Sequence, residues 1–195
     1  MRRVAAALLV LGLATGCASP PTQFYTLTPA EPPTAAPASW DRAVSVGPVT
    51  VPASVDRPEI VVTVGPNQLW LDEFNRWAAP LGATLARIVA QNLVVQLGTA
   101  RVTAAPQTLP LDADYRVAIE VQSFTSAPGQ SASLDALWMV SRTRDGRPLT
   151  GRTTVREALP EKGYGALAAA HSRAVSRLSQ DIAEAVHTLD GAPRK

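Results

Sequence analysis

Tyr115-Arg-Val-Ala-Ile-Glu-Val121 alternates apolar and polar residues one for one. Successive side chains of a strand point to opposite faces, so Tyr115, Val117, Ile119 and Val121 share one side. Arg116, Ala118, Glu120 and Gln122 share the other. One face dry and one wet is the pattern of an antiparallel strand rather than of a parallel one buried on both sides. The next segment repeats it, with Ala132, Leu134, Ala136, Trp138 and Val140 on one face. Asp145-Gly146 is a tight-turn signal, and it should lead into a strand from Leu149 to Ala158. Residues 114–158 therefore read as a three-stranded antiparallel meander.

Helices flank this meander. After it, Leu167, Ala174, Val175, Leu178, Ile182, Ala185, Val186 and Leu189 make the stripe of a long amphipathic helix over 166–189, ended by Gly191 and Pro193. Before it, Leu81, Leu85, Ile88, Asn92 and Val95 recur at helical spacing from Pro80 to Leu97. Proline suits the first turn, where its missing N–H is not needed, and Gly98 suits the stop. Arg101–Ala104 reads as a short strand. Upstream, Val44–Val51 is a strand kinked at Gly47-Pro48, and Ile60–Val64 with Gln68–Asp72 is a hairpin across Gly65-Pro66. Phe24–Leu27 is a brief strand ahead of these. From Ala43 the order is β-β-β-α-β-β-β-β-α, which predicts an α+β fold, mainly antiparallel, with two helices packed on one sheet face.

The N-terminus has a different character. Met-Arg-Arg precedes an apolar run, Val4–Leu13, and then Ala14-Thr-Gly-Cys17. Ten apolar residues are too few to span a bilayer, which needs about 20. A basic start, a short apolar stretch and small residues before a cysteine form a bacterial lipoprotein signal, with an ordinary secretory signal as its rival. Residues 1–16 are then a signal peptide, Cys17 is the lipid-attachment residue, and 17–22 is a lipidated tether. A single domain follows over 23–190, with a Pro-rich loop at 29–39 and a tail at 191–195. Ala18 after the cysteine, rather than Asp, favours the periplasmic face of the outer membrane by the sorting rule of enteric bacteria.

Composition narrows the function. The net charge of +2 rests on Arg2 and Arg3, so the chain after Gly16 carries sixteen basic and sixteen acidic residues. A near-neutral domain offers no electrostatic footprint for nucleic acid. Cys17 is the only cysteine. No disulfide forms, and lipidation removes the one thiol from catalysis or metal binding.

Signals for chemistry are weak. Glu184 and His187 make one Glu-x-x-His, whereas a di-iron bundle needs two and further carboxylates. Gly163-Tyr-Gly165-Ala-Leu-Ala168 mimics a dinucleotide loop, but no following strand brings an acidic residue. No Walker loop, nucleophile elbow or zincin helix occurs. The chain is expected to be no enzyme and to use no cofactor or metal. Trp70, Phe74 and Trp77 fall within eight residues. They suit either a partner-docking patch or the core edge where sheet meets helix.

Val49-Thr-Val-Pro-Ala-Ser-Val-Asp-Arg-Pro-Glu-Ile-Val61 and the segment Trp70–Leu81 resemble the PqiC-like family of ABC-type transport auxiliary lipoproteins. Phe24-Tyr-Thr-Leu27 resembles the family's opening strand. Ser54-Val55 departs from the Tyr-Leu that members often carry before Asp-Arg-Pro, and Ala79 from their acidic residue before the proline. The resemblance implies an envelope protein without catalysis of its own, acting beside a permease, an ATPase and a periplasmic MCE protein that conducts lipid. It would dock that component at the outer membrane and support envelope integrity. A homo-oligomeric ring would suit such a tubular partner. The alternatives are a lipoprotein assisting lipopolysaccharide or β-barrel assembly, and a periplasmic hydrolase using His171 or His187 as base.

Overall fold

In the computed structural model, which describes residues 20–30, 40–106 and 112–191, the elements run β1 (Gln23–Tyr25), β2 (Val44–Thr50), β3 (Glu59–Gly65), β4 (Gln68–Trp77), α1 (Leu81–Leu97), β5 (Val102–Ala104), β6 (Tyr115–Ala127), β7 (Ser131–Arg142), β8 (Pro148–Ala158) and α2 (Tyr164–Gly191). The α+β class and the predicted order from Ala43 hold. The signal segment, Cys17 and the start of the tether lie outside the described residues. So do most of the Pro-rich loop and the tail beyond Gly191.

Two sheets share the strands. The larger has the order β5-β2-β6-β7-β8, the smaller β1-β4-β3. The meander β6-β7-β8 is antiparallel throughout, while β2 pairs parallel to both β5 and β6. Both helices cover one face of the larger sheet and pack on each other. Tyr115, Val117, Ile119 and Val121 are buried beneath them with Ala132, Leu134, Ala136 and Val140. From the helices come Leu85, Ile88 and Leu93 of α1 and Leu178, Ile182 and Val186 of α2, all fully buried. Each such aliphatic side chain contributes ~1.5–3 kcal/mol by leaving water. Gly98 ends α1 in the left-handed conformation, φ 65°, with its N–H bonded to the Val94 carbonyl.

Two strands run further than their alternation predicts, each through a bulge. In β6 the register shifts between Val121 and Ser123. The extra residue, Gln122, reverses the parity, so Phe124 and Ser126 become the buried positions. In β4 the register jumps from Ile60–Asp72 to Glu59–Arg76, leaving Glu73, Phe74 and Asn75 looped out. The Asp72 carboxylate accepts the N–H groups of Phe74 and Asn75, both at 3.0 Å, and the strand resumes beyond it. Glu59 and Arg76 close the far side with an ion pair.

The resumed end of β4 is where the N-terminal segment attaches. β1 pairs parallel with Asn75–Trp77. Leu27 then enters the core. The Thr28 N–H bonds Ser172 Oγ of α2 at 3.1 Å, and the Ala30 N–H bonds Asn92 Oδ1 of α1 at 2.8 Å. Asn92 is itself fully buried and donates from Nδ2 to Ser179 Oγ at 3.1 Å, so one side chain ties both helices to the incoming chain.

Candidate functional site

The three aromatic residues that suit either docking or the core edge do not share one environment. Trp77 is 6% exposed and belongs to the core. Its ring meets Phe124 and His171 edge-on at centroid distances of 6.1 and 6.3 Å, and Phe124 stacks on His171 at 3.8 Å. Trp70 is 60% exposed, and Phe74, on the bulge, is 39% exposed. These two point outward with Phe24, Val64, Leu69 and Leu71. The smaller sheet thus carries six of the eight large hydrophobic residues exposed among the described residues.

Register explains why the hairpin cannot hide them. Val62 pairs with Trp70 and Thr63 with Leu69, so neighbouring β4 residues face opposite sides of a two-stranded ribbon. Ile60, Val61 and Val62 nearer the body are buried. Toward the turn Val64 and Trp70 are exposed on one face and Leu69 and Leu71 on the other, with Leu69 edging a groove it shares with Pro52, Ser54 and Gln122. From Ile60 to Leu71 no residue is charged. A groove of about 440 Å³ follows Leu69–Phe74. At its base the Tyr164 hydroxyl donates to Asp72 Oδ2 at 2.6 Å. Burial and that carboxylate hold the Tyr164 hydroxyl protonated, above the usual tyrosine range.

A second apolar surface lies on the open face of the larger sheet. Leu137 and Met139 project from β7 over Ala118 of β6 and Pro48 of β2, in a groove of about 670 Å³ rimmed by Glu120 and Arg152. The helix-facing neighbour Trp138 lies across Gly151. A Cβ there would fall 2.2 Å from a ring carbon. The indole N–H donates to Thr153 Oγ1 at 3.0 Å, and the Thr153 hydroxyl donates to Asp181 of α2.

Neither histidine sits in a catalytic setting. His187 is exposed on α2, three residues from exposed Glu184. His171 is wholly buried, with Nε2 2.9 Å from Ser126 Oγ and no partner for Nδ1. Burial pushes its pKa down to about 3, which keeps the ring neutral. Among the described residues no acidic group orients it, so there the Ser126–His171 contact lacks the third member of a hydrolytic triad. No cluster of three metal-ligating side chains occurs among the described residues. Helical spacing does reveal where His171 sits, four residues from both Leu167 and Val175, although the stripe read from the sequence left it out.

The buried Arg142 is the least expected functional-looking group. It pairs with Asp145 at the β7–β8 turn and donates from Nη1 to the Leu189 carbonyl at 2.6 Å. There it meets the negative end of the α2 dipole. Asp190 beside it accepts from Trp40 Nε1 at 3.0 Å and from the Tyr115 hydroxyl at 2.7 Å. These groups fasten the end of α2 to the sheet.

Comparison with known proteins agrees with this architecture. Residues 25–183 match the family model described as the ABC-type transport auxiliary lipoprotein component. The fold is similar to a crystal structure of an uncharacterized protein, with a TM-score of 0.72 and 19% identity over 86% of this chain and 99% of that one. It is similar also to a protein from Xanthomonas campestris, with a TM-score of 0.67 and 20% identity over 85% and 94% of the two chains. No curated protein matches the sequence. The chain belongs to the ABC-type transport auxiliary lipoprotein family. Its members are auxiliary components of transport systems rather than enzymes.

Proposed function

We propose that this protein is the membrane-anchored auxiliary lipoprotein of an ABC/MCE-type lipid transport system. On this reading it docks the periplasmic component at the outer membrane and supports envelope integrity. The observation that carries the reading is the family match across residues 25–183. Residues 1–16 are removed as a signal peptide, and Cys17 receives the lipid and supplies the anchor. No helix among the described residues is long and apolar enough to cross a membrane. Ala18 directs the protein to the outer membrane.

Two exposed apolar surfaces are available for the contacts such a role needs: the hairpin with Trp70 and Phe74, and the sheet groove with Leu137 and Met139. Trp77 serves docking only indirectly, by fixing the end of β4 in the core. A homo-oligomeric ring would match a tubular partner, and the mass of the detergent-solubilised assembly tests it. Affinity capture from solubilised envelopes tests the main reading. An MCE protein should co-purify, and deletion should sensitise cells to membrane-active agents. Co-purification of a β-barrel alone, with an unchanged envelope barrier, would sink it.

A further inference from the structure

We propose that the tip of the β3–β4 hairpin lies against the same lipid surface that holds Cys17. This rests on the reading of Cys17 as the anchored residue and says which part of the domain meets the membrane.

Direction comes first. β1 is parallel to β4, with Gln23 opposite Asn75, Phe24 opposite Arg76 and Tyr25 opposite Trp77. The chain ahead of Gln23 therefore enters from the side on which β4 begins, which is the side of the hairpin turn. Length agrees with direction. Cys17 is six residues ahead of Gln23, and an extended chain covers ~3.3–3.6 Å per residue, giving a reach of at most about 20 Å. Leu69 is likewise six residues ahead of Asn75 on β4, at most about 20 Å away. Pro20 and Pro21 bias the tether toward extension. Because Glu73, Phe74 and Asn75 are looped out, Leu69 lies nearer than that limit, and the tether is long enough for an anchor at Cys17 to reach the level of Leu69 and Trp70.

The chemistry of the tip fits lipid better than a charged protein surface. Twelve residues from Ile60 to Leu71 carry no charge, and none occurs from Cys17 to Ala30. Trp70 offers a large amphipathic ring of the kind favoured at the boundary between headgroups and acyl chains. Apolar side chains on both faces of a ribbon suit immersion, whereas docking on a flat protein surface would cover only one face. β4 also lacks a strand partner along Gln68–Phe74 on the side where β1 joins it, among the described residues. A groove runs along this same stretch, lined by Leu69–Phe74.

The test uses the mature chain from Cys17, coupled through that single thiol to a maleimide lipid. The vesicles contain phosphatidylethanolamine and phosphatidylglycerol with brominated acyl chains. Bromine should quench part of the tryptophan emission, and Trp70→Ala, at an exposed position, should lose most of that quenching while the circular dichroism stays unchanged. An unquenched parent chain, or equal quenching in Trp70→Ala, would overturn the proposal. Mass spectrometry of the chain from cell membranes tests the anchor separately. Quenching through Trp70 with Cys17 unmodified in cells would keep the tip's affinity for lipid and remove the anchor reading.

Discussion

Lowering the pH from 7.5 to 5 should cost this domain about 2 kcal/mol of stability through His171 alone. The ring is wholly buried against Phe124 and Trp77, and burial pushes its folded-state pKa down to about 3. In the unfolded chain the value returns to about 6.5. Below pH 6.5 the unfolded state therefore binds a proton that the folded state refuses, and stability falls as pH falls, until both forms are protonated below pH 3. Between pH 7.5 and 5 the loss is set by the unfolded pKa, so the figure holds for any folded value well below 5. The shifted carboxylates Glu59, Asp72, Asp135, Asp145 and Asp190 all have lowered values, so their contributions are lost only under more acid conditions. Urea unfolding followed by tryptophan emission, at both pH values, measures the difference. For a chain of this size about 2 kcal/mol corresponds to a fall of ~4–8 °C in Tm. His171→Phe keeps the stack on Phe124 and forfeits the Ser126 hydrogen bond. It should be slightly less stable at pH 7.5, by about 1 kcal/mol, and should lack the acid-dependent loss. The same pH dependence in parent and variant, or an NMR titration of His171 near 6.5, would refute the reasoning.

The two neighbouring tryptophans should separate cleanly. Trp77→Ala should cost ~3–5 kcal/mol in denaturant unfolding, while Trp70→Ala should stay within ~0.5 kcal/mol of the parent. Asn92→Leu strands the Ala30 N–H and loses the link to Ser179. It should cost ~1–3 kcal/mol and speed amide exchange at Ala30. Gly151→Val places a side chain where the Trp138 ring lies. It should cost ~1–3 kcal/mol and shift Trp138 emission to the red as its hydrogen bond to Thr153 breaks.

Much of the fold is legible because period-two and helical patterns report burial directly. Tyr115–Val121 and Ala132–Val140 declare their buried faces, and Gly98 and Asp145-Gly146 mark the stops. Legibility fails where a bulge reverses parity. Phe124 reads as out of phase with Val121 until Gln122 is recognised as an extra residue. The continuation of β4 past Asp72 is invisible for the same reason, since a three-residue bulge held by the Asp72 carboxylate interrupts the alternation. The aromatic cluster illustrates a second limit. Trp70 and Trp77 are alike in the sequence, and only the parallel pairing with β1 decides which one the body covers. Long-range pairings of this kind have no local signature. The division into two sheets and the burial of Arg142 against the end of α2 depend on them too.

The parallel docking of β1 also determines how the domain bears load. A pull on the chain ahead of Gln23, directed toward the hairpin turn, acts along the β1–β4 hydrogen bonds in shear. All three residue pairs resist together instead of opening one at a time, as they would if peeled. Beyond them Leu27 plugs the core, and the bonds from Thr28 to Ser172 and from Ala30 to Asn92 spread the remaining tension across both helices. A three-residue strand is thus backed by a graded series of fastenings, and tugging on the leash should tilt the whole body before it unravels its attachment.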